Sequence, residues 1–353
     1  VPADISDLGD GRICLRLSQF IAESYHKKQA IFLYIYCPIV FMVAVASGFF
    51  YLFERSLQME KKRVFTGVAT AVITPFDEYG VDYESFGKII DWQIESGINA
   101  LVVCGTTGEA STLTDDEHRQ VISYAVKKVN GRVPVIAGTG SNDTAYAVDL
   151  TKYACDAGAD GVLVVTPYYN KCTQKGLVAL FTQIADVSTK PVILYNVPSR
   201  TGINIEPKTY ACLAEHPNIS GFKEANGNIS KIVETMSYVN GKLDMYSGND
   251  DQIVPLMALG GVGVISVLSN IMPSQTREIC DAFFEGNVEK AAKLQYKYHA
   301  IIDALFCEVN PIPVKAAMNE MGFCKDIIRL PLTNMEAPNR QKLVDLMKGL
   351  GII

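Results

Sequence analysis

Ile219 and Phe222 read as residues of a buried strand, and Lys223 follows them directly before Glu224. A lysine there is either a snorkelling side chain, its stem on apolar surface and its head in water, or an amine withdrawn from water for chemistry. Desolvation lowers the pKa of an ammonium group. The free amine that results attacks a ketone or aldehyde and forms a Schiff base. The protonated imine is an electron sink, so the adjacent carbon can lose a proton and become an enamine nucleophile. Such chemistry needs a proton shuttle, and the phenol of Tyr195 with a threonine hydroxyl suits it. It also needs an anchor for the carboxylate of a 2-oxo acid. The backbone N–H groups of the Gly105–Gly108 turn, placed at a helix N-terminus, suit that role.

Each of these residues has a plainer reading. Thr106 and Thr107 could cap the following helix, Glu109 could be an acid favourable to its dipole, and Arg200 could be a loop charge. Tyr168 and Tyr169 could be packing aromatics; adjacent side chains in an extended segment point opposite ways, so one of the two at most faces a given pocket. The weight shifts towards chemistry only if the fold brings the residues to one face.

The elements that would position them recur from Val64 onward. Eight short β-branched runs alternate with amphipathic stretches: residues 67–76, 99–105, 133–140, 160–167, 191–198, 219–225, 243–249 and 261–267. Continuous apolar strands imply burial on both faces, as in a parallel sheet. Between them, Tyr83–Gly97 carries Phe86, Ile89, Ile90 and Ile94 at helical spacing. Thr114 with Glu117 three residues later forms a capping-box pattern. Eight β/α units predict a TIM (β/α)8 barrel. A doubly wound open sheet is the competing α/β architecture, and the lack of a G-x-G-x-x-G after the first strand and of a Walker motif argues against it. The helical sequence at the end, clearest in "NVEKAAKLQYKYHAIIDALF" (Asn287–Phe306), predicts a C-terminal helical extension. The expected organisation is an N-terminal extension at 1–58, the barrel at 59–285 and C-terminal helices at 286–353.

In a barrel, chemistry sits where strands end. "GTTGE" (Gly105–Glu109), "TPYYN" (Thr166–Asn170), "YNVPSRTG" (Tyr195–Gly202), Lys223 and "SGND" (Ser247–Asp250) all fall at such ends, and the eighth strand passes through "GVISV". Two phenols, several hydroxyls, one arginine and one lysine would share one mouth.

The bulk properties exclude other classes. The 353 residues carry a net charge of -6 with scattered lysines, which offers no basic patch for nucleic acid. The nine cysteines contain no C-x-x-C and no tight cluster. Their number is odd, as expected of buried free thiols in a reducing, cytoplasmic setting. The four histidines, His26, His118, His216 and His299, lie far apart, so no metal site is expected. The metal-dependent way of stabilising an enolate therefore has no ligand set.

Residues 1–58 differ in kind. Ala30–Phe53 is a stretch of 24 residues without a charge, long enough to span a bilayer as a helix. Three readings are open: an extension without a role in the enzyme, with "MEKKRVFTGVATAVITPF" from Met59 as a cytosolic beginning; a membrane anchor; or a signal peptide with Ala44-Val45-Ala46 as its cleavage site.

In order and spacing, "GTTGE", "TPYYN", "YNVPSRTG" and "GFKEA" resemble the dihydrodipicolinate synthase family, within the pyruvate-dependent class I aldolases that include N-acetylneuraminate lyase. The resemblance covers about 59–353. It implies a TIM barrel with C-terminal helices, assembled as a homotetramer of two tight dimers. Lys223 then resembles the Schiff-base lysine that binds pyruvate, Tyr195 the central relay phenol and Thr107 its hydroxyl partner. Thr106 resembles a contact of the pyruvate carboxylate. Tyr169 resembles the tyrosine given across the tight dimer to the neighbouring site. Arg200 resembles the arginine that binds the carboxylate of L-aspartate-4-semialdehyde, and Ile265 the residue whose main-chain carbonyl lines the pyruvate site. The implied reaction condenses pyruvate with that semialdehyde to 4-hydroxy-tetrahydrodipicolinate, on the way to diaminopimelate and lysine. It needs no cofactor beyond the covalent pyruvate imine on Lys223. "GTTGE" and Arg200 favour this reaction over a sugar-acid or sialic acid lyase, because an arginine suits a short substrate ending in a carboxylate. A non-catalytic ligand-binding barrel is a third reading, which intact relay residues disfavour.

The resemblance also implies a lysine feedback site in some members. Asn142, Tyr168 and His118 match its positions, whereas Asp115 stands where such enzymes can have histidine and Tyr146 where they have glutamate. Loss of that glutamate removes a partner for an ammonium group, and weak or absent inhibition by lysine is expected.

Overall fold

In a computed structural model, residues 61–353 are described. The apolar stretch Ala30–Phe53 and the rest of the expected extension lie outside the described residues. Each of the eight apolar runs yields one strand: β1 Gly67–Ala71, β2 Ala100–Val103, β3 Val135–Gly138, β4 Gly161–Val165, β5 Val192–Asn196, β6 Ile219–Glu224, β7 Asp244–Ser247 and β8 Gly263–Ser266. All neighbours pair in parallel, and β1 pairs with both β2 and β8, which closes the barrel. The closed ring explains the continuous apolar character of the runs, since one strand face packs inside the barrel and the other packs on helices.

Two apolar layers follow from the period-2 alternation of strand side chains. Ala69, Val102, Ile136, Leu163, Ile193 and Ile265 fill the interior, and Tyr195 lies among them. Val68, Leu101, Val162, Leu194 and Phe222 face the helices. The seam between β1 and β8 depends on Gly263. Its φ is +154°, and a Cβ there would lie 1.9 Å from the carbonyl oxygen of Gly67, so only glycine lets the two strands meet.

The intervening helices are α1 Tyr83–Glu95, α2 Asp115–Val129, α3 Thr144–Asp156, α4 Gln174–Val187, α5 Pro207–Leu213, α6 Ile229–Val239, α7 Ile253–Ala258 and α8 Pro273–Phe284. The predicted capping box is present on α2: the Thr114 hydroxyl accepts from the Glu117 N–H, and the Glu117 carboxylate accepts from the Thr114 N–H. After α8 come α9 Val288–Lys297, α10 His299–Leu305, α11 Ile312–Glu320 and α12 Ala337–Gly349. The helical sequence over Asn287–Phe306 forms two helices that meet at Tyr298, which caps α9 and opens α10. The Tyr298 ring is buried, and the bend lets Ala291 of α9 and Ile301, Ile302 and Leu305 of α10 all pack inward. Among the described residues no helix is long and apolar enough to cross a membrane.

Candidate active site

The site is built on one register. In the β5–β6 pair, Tyr195 lies opposite Lys223 and Asn196 opposite Glu224. Alternation turns the first pair into the barrel and the second pair outward. Lys223 is 6% exposed, and its Nζ lies 4.4 Å from the centroid of the Tyr195 ring. The Lys223 head group therefore sits over an aromatic face, which attracts a cation more strongly when desolvated. From β7, Gly248 gives room to the lysine stem: a Cβ there would come within 3.1 Å of Lys223 Cε and 2.8 Å of Ala225 Cβ.

Lys223, Tyr195, Thr106, Thr107 and Arg200 line one cavity of about 170 Å³. Five of the seven residues chosen from sequence thus meet in one place. Ile265 is fully buried in the barrel interior with Tyr195. Tyr169 is not part of this lining: its side chain is 92% exposed, on a residue with a φ of +70°. Arg200 stands exposed on the turn Pro198–Thr201 and donates from Nη2 to the carbonyl of Asn310 at 3.0 Å.

The Gly105–Gly108 turn differs from expectation. It does not open an α-helix; it leads into a three-residue 3-10 turn, Ala110–Thr112, and α2 begins only at Asp115. Cys104 and Glu109 flank it with φ of +53° each. These left-handed residues reverse the chain so that the Gly105 and Thr106 carbonyls accept from Ala110 and Glu109. Gly138 makes this possible from β3, because a Cβ there would lie 2.1 Å from the Cys104 carbonyl oxygen.

Residues that the sequence reading passed over hold this turn from outside. Asn310 lines the cavity and donates from Nδ2 to Thr107 Oγ1 at 3.0 Å. Thr107 is buried, and this bond leaves its own hydroxyl proton available to a further acceptor. Lys315, on α11, is fully buried and forms an ion pair with the equally buried Glu109. Its Nζ lies 4.0 Å from the Phe76 ring centroid, and the Arg329 guanidinium lies 4.1 Å from the same centroid. Burial holds the Lys315 pKa below the ordinary lysine value, against the opposing pull of Glu109. The Arg329 N–H donates to the other Glu109 oxygen at 3.2 Å. The motif Asn310–Lys315, "NPIPVK", was the available signal: two polar side chains spaced by prolines in an otherwise apolar stretch.

Asp250, directly after Asn249 of the cavity wall, is a further buried carboxylate. Its Oδ2 accepts from the Val267 and Leu268 N–H groups at 2.9 and 2.8 Å, which ties the end of β8 to that of β7. Burial raises its pKa, while hydrogen bonds and the Lys223 charge work against that rise. Among the described residues, no group of three His, Cys, Asp or Glu side chains is placed to hold a metal ion.

The arrangement is a buried amine beside a phenol, with hydroxyls on one wall and a guanidinium at the mouth. That is the equipment for imine formation followed by proton transfer at carbon. The sequence model of the Dihydrodipicolinate synthetase family matches residues 64–350. The chain belongs to this family. It is 55% identical over 290 residues to the 4-hydroxy-tetrahydrodipicolinate synthase of Alkaliphilus oremlandii, an alignment covering 82% of this chain and 100% of that one. The relative of the same name from Acetivibrio thermocellus is 55% identical over 293 residues, covering 83% of this chain and 100% of its own. Among solved structures, the dihydrodipicolinate synthase of Aquifex aeolicus superposes with a TM-score of 0.80 at 45% identity, covering 82% of this chain and 99% of that one. The family member from Acinetobacter baumannii, crystallised with pyruvate, gives a TM-score of 0.80 at 44% identity, with 82% and 100% covered.

The Lys315–Glu109 pair gives a stability prediction. Lys315→Met strands a buried carboxylate and is expected to cost about 3–5 kcal/mol in urea unfolding. Adding Glu109→Leu removes the orphan charge and should recover most of that loss. A double variant no more stable than the single one would show that the pair is not the source of the cost.

Proposed function

We propose that this protein is a 4-hydroxy-tetrahydrodipicolinate synthase, condensing pyruvate with L-aspartate-4-semialdehyde. The observation that carries the reading is Lys223, buried against the Tyr195 ring in a cavity that Arg200 also lines. The names of relatives at 55% identity support the same reaction.

The chemistry runs as follows. The Lys223 amine adds to the C2 carbonyl of pyruvate, and water leaves to give a protonated imine. Thr106 and the turn N–H groups hold the pyruvate carboxylate, with the Ile265 carbonyl on the opposite side. A C3 proton is lost to the Tyr195–Thr107 relay, and the electron pair forms an enamine. C3 of the enamine attacks the aldehyde carbon of the semialdehyde, whose oxygen takes a proton back from Tyr195. Arg200 holds the carboxylate of that substrate. The amino group of the product then displaces Lys223 from the imine carbon and closes the ring. The covalent imine takes the place of a cofactor. The alternative, a lyase acting on a sugar acid, shares Lys223 and Tyr195 but leaves Arg200 without a substrate carboxylate.

Pyruvate with borohydride should fix a reduced adduct on Lys223, found by mass spectrometry, and Lys223→Ala should nearly abolish turnover. Arg200→Ala should impair use of the semialdehyde and leave the adduct intact. No adduct at Lys223 would end the Schiff-base reading; an adduct without semialdehyde turnover would favour the lyase.

We also place the working enzyme in a homotetramer built from tight dimers. Tyr169 supports this: its side chain is 92% exposed on a residue in the left-handed region, as suits a ring that packs on a partner. Exposed Ile229 and Val233 on α6 offer a second apolar face. Sedimentation velocity at micromolar concentration should give a tetramer, and a monomer that turns over at full rate would overturn the assembly. The seven cysteines among the described residues are free thiols, four of them buried, which supports a cytoplasmic location.

At the positions of a lysine feedback site, the Asp115 carboxylate is already engaged by Arg119 at 2.9 Å and by the Tyr146 hydroxyl. His118 is buried with its Nε2 2.9 Å from the Gly138 carbonyl oxygen, and burial lowers its pKa. Asn142 is bonded to the Tyr168 carbonyl at 3.2 Å. A lysine ligand would have to displace these contacts without a glutamate for its ammonium. Activity should be unchanged at sub-millimolar lysine in a coupled assay, whereas half-inhibition in that range would refute the absence of the site.

A further inference from the structure

Behind the catalytic pair, on the outward face of the same two strands, lies a buried carboxylate that the mechanism does not use. Glu224 is 1% exposed. Its Oε1 accepts from Asn196 Nδ2 at 2.9 Å and from the Asn226 N–H at 2.9 Å. Its Oε2 accepts from Asn196 Nδ2 at 3.2 Å and from the Tyr210 hydroxyl at 3.0 Å. Asn196 is fixed in turn: its Nδ2 donates to Asn204 Oδ1 at 2.7 Å, and its Oδ1 accepts from the Ile205 N–H at 3.1 Å. Asn196 and Glu224 are register partners, one step beyond the partners Tyr195 and Lys223. Any slip or splay at the outer pair is passed directly to the inner pair.

We propose that Glu224 is a positioning residue: its carboxylate, gripped by Asn196 and Tyr210, locks the ends of β5 and β6 so that the Tyr195 phenol stays on the Lys223 amine. The proposal rests on the Schiff-base reading above. The lock is matched to an ionised carboxylate, because all four contacts come from uncharged donors. A protonated carboxyl would set one donor against another. Among the described residues, Tyr210 faces it from α5, the uncharged Ser247 is its register partner on β7, and Lys223 precedes it on the opposite face of β6. Glu206 at the start of α5 and Lys231 on α6 pair with each other at 3.2 Å.

Burial pushes the Glu224 pKa up to about 7, with the hydrogen bonds holding it from rising further. The sign of the pH effect follows. Above pH 7 the carboxylate is ionised and the lock is closed. As pH falls through about 7 the proton goes on and the lock loosens. Removing a donor to the ionised form raises the pKa.

The test reads proton transfer at carbon with pyruvate alone. The rate of deuterium exchange at the pyruvate methyl is followed by NMR against pH, using full-length protein. The wild type should lose rate on the acid side of about pH 7. Tyr210→Phe removes one donor at little cost in volume, and should move that acid limb upward by about half a unit or more. Glu224→Gln should abolish the limb and lower the rate by roughly tenfold or more above about pH 7, as expected for a misplaced reacting pair. If Glu224→Gln does not fold, the position of the limb in Tyr210→Phe decides alone. A limb that stays in place in Tyr210→Phe, or one that persists in folded Glu224→Gln, overturns the proposal. Borohydride trapping on the wild type separates the two failures. A trapped adduct with an unmoved limb sinks only the role of Glu224, whereas no adduct sinks the Schiff-base reading beneath it.

Discussion

Parallel pairing of β5 with β6 sets Tyr195 opposite Lys223, and much of the molecule can be understood as support for that one juxtaposition. A single-residue slip would turn both side chains out of the barrel and bring Asn196 and Glu224 in. The closed ring makes such a slip costly, since every strand has two neighbours and β1 and β8 meet at a glycine that tolerates no side chain. Burying an amine inside this ring is unfavourable on its own. The Tyr195 ring offsets part of that cost, and the carboxylate of Asp250 near the ends of β7 and β8 contributes opposing charge.

The barrel was legible in the sequence because a parallel strand buried on both faces writes an uninterrupted apolar run. Val192–Leu194 and Val162–Val165 show it plainly. The capping box at Thr114 and Glu117 was legible for a similar reason, being a local hydrogen-bond exchange with a fixed three-residue spacing. Lys223, Tyr195, Thr106, Thr107 and Arg200 could be picked out because strand ends in a barrel share one mouth.

What stayed hidden was long-range or conformational. Asn310 and Thr107 are 203 positions apart, and no periodic signal joins them. The C-terminal helices read as packing material, yet they carry the lysine that neutralises Glu109. The turn at Gly105–Gly108 was expected to open a helix because threonines and a following acid often do so. Left-handed Cys104 and Glu109 made it a tight reversal instead, and a non-glycine residue carries no mark of that conformation in its type. Glu224 was visible only as the neighbour of a lysine; its burial, on the other face of the strand, depended on Tyr210 and Asn196 arriving from elsewhere.

The reach of the C-terminal helices back to the Gly105–Glu109 turn bears on how the chain is made. Synthesis runs from the N-terminus, and all eight strands have been polymerised by Ser266, well before Asn310, Lys315 and Arg329 are added. A chain still on the ribosome can therefore hold every strand of the barrel while the wall beside Lys223 is unfinished. Lys223 gains its final surroundings only near the end of translation. The order of the chain itself thus makes the cavity wall, and not the barrel, the last part to be completed.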